Sequence, residues 1–263
     1  MASPRQRAAR LRYAQYAVLV IVLLAIALLA DWDQLKRAFW DWEVVKAQFP
    51  DVITIALKNT IIYTACGFTL GLVLGLVLAL MRLSSVGPYR WIATGIIELF
   101  RGLPALVVFI ALSVGFNLGF PDREIPFGNL GIVTLALGLV GGAYMAETIR
   151  AGIQAVPKGQ MEAARSLGMS HSRAMISVVV PQAFRIILPP LTNELILLTK
   201  DSSLVYILGL ALEDYELTKF GREGMNTAAN LTPIIVIGLC YLLITVPLSI
   251  VVRRMESRAE RAR

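Results

Sequence analysis

The sequence predicts an all-α integral membrane protein with about six transmembrane helices, an expectation that rests on three observations. The 263 residues are 57% hydrophobic and only 16% charged. The apolar residues fall in long blocks, and basic residues gather at the block ends. One soluble core could not hide that much apolar surface. A hydrocarbon layer of ~30 Å is crossed by roughly 20 apolar residues as a helix, which satisfies its own backbone hydrogen bonds.

The first block, 13–30, follows Arg5, Arg7, Arg10 and Arg12 and contains Ala25, Ala27 and Ala30. A cleaved secretory signal therefore competes with a retained helix; the length of the block and its lack of proline or glycine favour retention. Segment 31–51 sets Trp32, Phe39, Trp40 and Trp42 among acidic residues and reads as an amphipathic connector at the outer interface. The second block, 54–81, carries Gly67, Gly71 and Gly75 on one helical face. That stripe suits close helix approach, either across a dimer or within the chain.

A third block, 91–118, contains Pro104, which should kink it. The fourth runs over 130–149. The fifth, 175–199, holds Pro181, Pro189 and Pro190 and is expected to be a broken span. Segment 199–230 is too mixed for a clean span and reads as short outward-facing helices and loops, and 231–252 closes the set. The chain thus divides into 1–51 (basic tail, first helix and connector), a transmembrane domain 52–252 with a cytoplasmic loop at 150–175, and a basic tail 253–263.

The net charge of +7 does not point to nucleic acid, because the basic residues form no groove-sized patch with interleaved aromatics. They follow the positive-inside rule. With both termini cytoplasmic, fifteen basic residues lie inside, namely Arg5, Arg7, Arg10, Arg12, Arg82, Arg90, Arg150, Lys158, Arg165, Arg173, Arg253, Arg254, Arg258, Arg261 and Arg263. Seven lie outside, Lys36, Arg37, Lys46, Arg123, Lys200, Lys219 and Arg222, among most of the acidic residues, Asp122 and Glu124 included.

The chain has no phosphate loop, no H-E-x-x-H and no G-x-S-x-G, which argues against an ATPase and against an intramembrane enzyme. His171, the one histidine, has no second ligand nearby and is not read as a metal site. Cys66 and Cys240 fall in apolar blocks and read as packing residues.

The long polar loop between the fourth and fifth blocks carries the functional signal. Pro157 suits a helix start, the following Met161, Glu162, Ala163, Ala164, Arg165 and Leu167 favour helix, and Gly168 suits a C-terminal cap. The expected product is a two-turn helix along the membrane surface, with a flat face of Ala163 and Ala164 and charged flanks in Glu162 and Arg165. Such a helix can dock another protein.

The run EAARSLG, nine further residues and VVVP resembles the EAA signature of permease subunits of ATP-binding-cassette importers, with Glu162, Ala163, Ala164, Gly168 and Pro181 in place. Val178 and Val180 stand where that signature usually has isoleucine and leucine. FRGLPALV at 100–107, AYMAETIRAGIQAVPKGQ at 143–160 and PQAFRIILPPLTNELILLTKDSSL at 181–204 are similar to the polar amino-acid branch of the histidine, glutamine and glutamate type.

The resemblance implies the type I importer fold, a five-helix core with an added N-terminal helix, in a bacterial inner membrane. It implies no catalysis by this chain, with ATP and magnesium bound in a partner. The implied assembly has two ATPase subunits, a second permease subunit, identical or paralogous, an extracytoplasmic solute-binding protein, a polar amino acid as substrate, and surrounding lipid. Pro157, Glu162, Ala163, Ala164, Arg165 and Gly168 would couple ATP-driven closure of the ATPases to alternating access.

Charges inside the membrane are costly, so each should pair, face water or serve substrate. Glu98 with Arg101, and Glu147 with Arg150, are spaced for ion pairs within one helix. Arg185 could meet an amino acid's carboxylate or an acidic residue of a neighbouring span. Asn193 with Lys200, and Glu194 with Asp201, are each seven apart and could either line the pathway or mark a helix end. An alternative function is an ion-coupled secondary transporter or channel that uses Glu147, Arg185 and Glu194 as a relay, which leaves the loop motif unexplained.

Overall fold

Helix is the only regular secondary structure among the described residues, as hydrocarbon demands of a backbone that must satisfy itself. The computed structural model describes residues 4–121, 123 and 125–261, with side chains for 11–121, 123 and 125–257. The topological assignments of Asp122, Glu124, Arg5, Arg7, Arg10, Arg258, Arg261 and Arg263 lie outside the described side chains.

Helix α1 (Pro4–Leu29) contains the apolar window Leu11–Leu29, none of which is buried by the rest of the chain. Two short helices follow, α2 (Trp32–Phe39), capped by Asp31, and α3 (Trp42–Ala47), capped by Asp41. The caps act as short acidic side chains do, accepting from the otherwise unpaired N–H groups of the first turn. The connector is tied to the last helix, where the Leu231 N–H donates to the Ala38 carbonyl (2.8 Å) and the Asp41 N–H to Thr232 Oγ1 (2.9 Å).

A π-helical turn, Val52–Leu57, runs into α4 (Lys58–Leu83), and together they make a span. Helix α7 (Gly128–Gln154) packs along α4, and the glycine stripe is the reason. A Cβ at Gly71 would lie 3.2 Å from the Gly142 nitrogen, and one at Gly75 would lie 2.8 Å from Met145 Cβ and 3.0 Å from the Gly142 carbonyl. Gly138 and Gly142 answer from α7, so the two backbones approach as only small residues permit. The stripe is therefore a seam within the chain.

The third apolar block is not one straight helix. Helices α5 (Gly87–Gly102) and α6 (Ala105–Gly119) meet at 103°, because Pro104 has no N–H to continue α5 and forces Leu103 to extended backbone (φ −89, ψ 136). The fifth block, expected to be broken, is continuous instead, with α10 running over Val180–Asp201 through Pro189 and Pro190. Pro181 falls in its first turn, where a missing N–H costs nothing. A π-helical turn, Met175–Val179, precedes it, and Pro189 is buried within the bundle, the setting in which a membrane helix tolerates proline. The last helix, α12 (Thr232–Arg261), supplies the final span over Thr232–Ser257.

The core lies between α4, α6, α7 and α10, around Tyr63, Phe109, Leu137, Met145, Leu191 and Leu198. Five helices meet the length and apolarity of a membrane span, or six if the bent pair α5–α6 counts as one. The count of six is the architecture expected from the sequence, a five-helix core with the added N-terminal helix.

Candidate functional site

The polar loop at 150–175 folds as helix α8 (Lys158–Ser166) followed by α9 (His171–Ala174). Pro157 is the N-cap residue, and Gly168 adopts φ 86, a left-handed conformation that strains any L side chain. The Gly168 N–H donates to the Arg165 carbonyl (3.0 Å) and the Met169 N–H to the Ala164 carbonyl (3.2 Å). This crossed pair closes the helix as a Schellman motif does.

Glu162, Ala163 and Arg165 are exposed, and so is the large apolar Leu167, at 85%. Ala164 is buried, which corrects the flat alanine face. Successive helical residues point about 100° apart, and the chain uses Ala164 and Met161 to seat α8 on its own core. The outward surface is thus Glu162, Ala163, Arg165 and Leu167. One side-chain bond ties α8 to α10 among the described residues, from Gln182 Nε2 to Gln160 Oε1 at 3.3 Å.

At the α5–α6 break a cavity of about 420 Å³ opens, lined by Arg101, Leu103, Pro104, Tyr144, Glu194 and Asp201, with Val140 and Gly141 behind. The bend at Pro104 leaves the space, and polar side chains from three helices converge on it. A seven-residue step along α10 returns to within about 20° of the same direction. Glu194 and Asp201 therefore share the cavity face, while Asn193 and Lys200 share an adjoining one. Arg185, Asn193 and Lys200 are exposed and do not line the cavity, so the structure divides the five candidate pathway residues into two groups.

Arg101 joins the cavity group while also forming the ion pair that its spacing from Glu98 suggests. Its Nη1 is 3.9 Å from Glu98 Oε1, and its guanidinium lies 5.6 Å from the Tyr144 ring centre. Glu147 bonds Arg150 (Nη2 to Oε2, 2.7 Å) and also Arg82 from the end of α4, and Arg150 reaches Gln154 Oε1 at 2.6 Å. Sequence reasoning found Glu147 and Arg150 but not Arg82 as a partner. His171 is exposed, and no metal-binding cluster occurs among the described residues.

A second built region sits at the opposite end of the bundle from α8. Helix α11 (Leu217–Ala228) is capped by the fully buried Glu216, which accepts from the Thr218 and Lys219 N–H groups (both 2.6 Å) and from the Tyr241 hydroxyl (3.1 Å). Burial pushes the Glu216 carboxyl up to about 7, against the pull of those hydrogen bonds. On the surface of α11, the Lys219 ammonium holds Glu223 below the usual carboxylate range. Neither Glu216 nor Tyr241 stood out in the sequence, and a glutamate two residues ahead of a threonine-lysine turn was the one available signal.

The family model for the "binding-protein-dependent transport system inner membrane component" matches residues 71–261. The chain belongs to that family. Among its relatives, a probable glutamine ABC transporter permease of Bacillus subtilis is 35% identical, over 78% of this chain and 91% of its own. A glutamate/aspartate import permease of Escherichia coli is 34% identical, over 83% and 98%. A solved amino acid ABC transporter with histidines superimposes with a TM-score of 0.73 at 35% identity, covering 83% of this chain and 98% of that one. A bacterial alginate importer, at 15% identity and a TM-score of 0.64, shares the fold. The permease therefore has the type I importer architecture, and the family it belongs to is one of transport components.

Proposed function

We propose that this permease forms one half of the pathway of an ATP-driven importer of polar amino acids of the glutamate, glutamine and histidine type. It would work in a bacterial inner membrane with both termini cytoplasmic. Its partners would be two ATPase subunits that bind ATP and magnesium, a second permease subunit, identical or paralogous, and an extracytoplasmic solute-binding protein. The observation that carries this reading is α8, a short helix seated by Ala164 and Met161 and suspended between α7 and α10, with Glu162, Ala163, Arg165 and Leu167 facing outward.

Docked in a groove of the ATPase, α8 acts as a lever. Closure of the ATPases moves it, α7 and α10 move with it, and the cavity between them changes its opening. The close approach of Gly152 to Ile187 holds those two helices together, so a displacement is transmitted rather than absorbed. The cavity suits a zwitterion, with the Arg101 guanidinium for the carboxylate and Glu194 and Asp201 for the ammonium group. The relatives' names and the solved transporter with histidines support an amino acid as substrate.

The test is uptake of labelled glutamate, glutamine and histidine by proteoliposomes carrying the permease with its ATPase and binding protein. Gly168→Asp forces a side chain into a left-handed position and opens the helix end. Uptake should fall at least about tenfold at normal membrane abundance, as expected for a coupling element displaced by an ångström or more. In the same assay Glu194→Gln should weaken apparent substrate affinity. Unchanged uptake by Gly168→Asp would remove α8 from the coupling role, and unchanged affinity in Glu194→Gln would remove the cavity from the pathway.

A further inference from the structure

The cavity and the α8 end are linked along a single face of α7. Tyr144, Glu147, Arg150 and Gln154 follow one another at three- and four-residue steps, so they form one stripe. At its first position Tyr144 contacts Arg101 twice. The ring lies under the guanidinium, and the hydroxyl donates to the Arg101 carbonyl at 3.5 Å. That carbonyl is available because α5 ends at Gly102 and the Pro104 bend withdraws the next N–H that would have reached it. Tyr144 thus touches both the charge and the backbone of the cavity's cation.

One turn further on, Glu147 is shared between Arg82 of α4 and Arg150 of its own helix, and Arg150 holds Gln154, three residues before the Pro157 that opens α8. These groups are neither fully buried nor free in solvent, with side-chain exposures of 20% for Glu147, 24% for Arg82 and 26% for Arg150. One carboxylate between two guanidiniums leaves a positive excess. A change in the orientation of Arg101, one turn away, acts on an unbalanced cluster in a medium where charge is poorly screened. The α4–α7 glycine seam makes the cluster stiff, since Arg82 and Glu147 stand on two helices that cannot slide apart without opening the seam.

We propose that Tyr144 and Glu147 are positioning residues that transmit occupancy of the cavity to α8. A substrate carboxylate taking Arg101 draws it from the Tyr144 ring and the Glu98 carboxylate. With Arg82 and Glu147 held by the seam, the change falls on Arg150 and Gln154, and the end of α7 that carries α8 shifts. The inference rests on the coupling function proposed above and adds to it a direction of signalling, from substrate to ATPase.

The reconstituted complex tests it through the ratio of ATP hydrolysis with substrate-loaded binding protein to hydrolysis without it. Glu147→Gln keeps the shape and removes the charge, and should lower that ratio at least about fivefold while the substrate concentration for half-maximal uptake changes less than about twofold, the signature of a coupling loss of about 1 kcal/mol. Glu147→Asp should recover most of the ratio. A Glu147→Gln complex that is present at normal abundance and stimulated like the wild type overturns the relay alone. So does a ratio that falls only in step with apparent affinity, since that marks a collapsed cavity. A wild-type complex without ATP-dependent uptake overturns the importer function, and the relay with it.

Discussion

The two ends of the bundle are built on opposite principles. At the end away from α8, residues 213–217 are held by side chains from several helices. Asn59 donates to the Glu213 and Tyr215 carbonyls (2.6 and 3.1 Å), Tyr63 to the Asp214 carbonyl (2.9 Å) and Asn129 to the Asp214 carboxylate (2.8 Å). Thr60 receives the Leu217 N–H (3.1 Å), and Glu216 binds Tyr241. At the other end α8 offers an exposed surface and, among the described residues, a single side-chain bond to α10. One end is anchored and the other presents a handle. The α4–α7 seam joins them, so that under the proposed coupling a motion applied at α8 would be resisted at the far end and taken up between the helices, around the cavity.

The anchored end should reveal itself through pH. The Glu216 carboxyl sits at about 7 in the folded chain against an ordinary 4.5, so between those values the folded state holds more proton than the unfolded one. The associated stability is fully present below 4.5 and is lost as pH rises through about 7. A shift of this size corresponds to about 3 kcal/mol. Thermal stability of the permease in detergent or nanodiscs is expected to decline from pH 5 to pH 8, with a clearly flatter decline in Glu216→Gln. Equal slopes in both proteins would assign the pH response elsewhere.

Truncation at the same position should have the next largest effect. Glu216→Ala strands two N–H groups and the Tyr241 hydroxyl in a buried site, and lost caps and unpaired buried donors each cost about 1–2 kcal/mol. The melting temperature should drop by several degrees, while ATPase binding at the far end stays as in wild type. A drop in both would mean that the two ends do not behave separately.

Much of this division was legible in the sequence where it depends on local chemistry. The apolar blocks, the Gly67, Gly71 and Gly75 stripe and the cap at Gly168 are all properties of neighbours along the chain. The pairings were not legible, because Arg82 and Glu147, Tyr144 and Arg101, and Glu216 and Tyr241 meet only once particular helices lie side by side, and hydropathy does not encode which helices are adjacent. Helix phase was hidden for the same reason. The composition of α8 carries the proposal of a docking helix, but only its seat on Met161 decides that Ala164 turns inward and Leu167 outward. The severity of the Pro104 break also escaped, since a proline sets the place of a bend more firmly than its angle, and the cavity depends on that angle.

The exposed end supplies the smallest effect on stability and the cleanest contrast. Leu167 is 85% exposed, so Leu167→Ser removes no buried contact and should change unfolding free energy by no more than about 0.5 kcal/mol. An apolar side chain held out in this way gains burial only when a partner covers it, and an anchor of that size is worth about 1–2 kcal/mol at an interface. Leu167→Ser is therefore expected to weaken binding of the isolated ATPase subunit to the nanodisc-embedded permease roughly tenfold, with an unchanged melting curve and pH slope. A lowered melting temperature would place Leu167 in the permease's own core, and unchanged ATPase affinity would move the docking surface back towards Glu162 and Arg165.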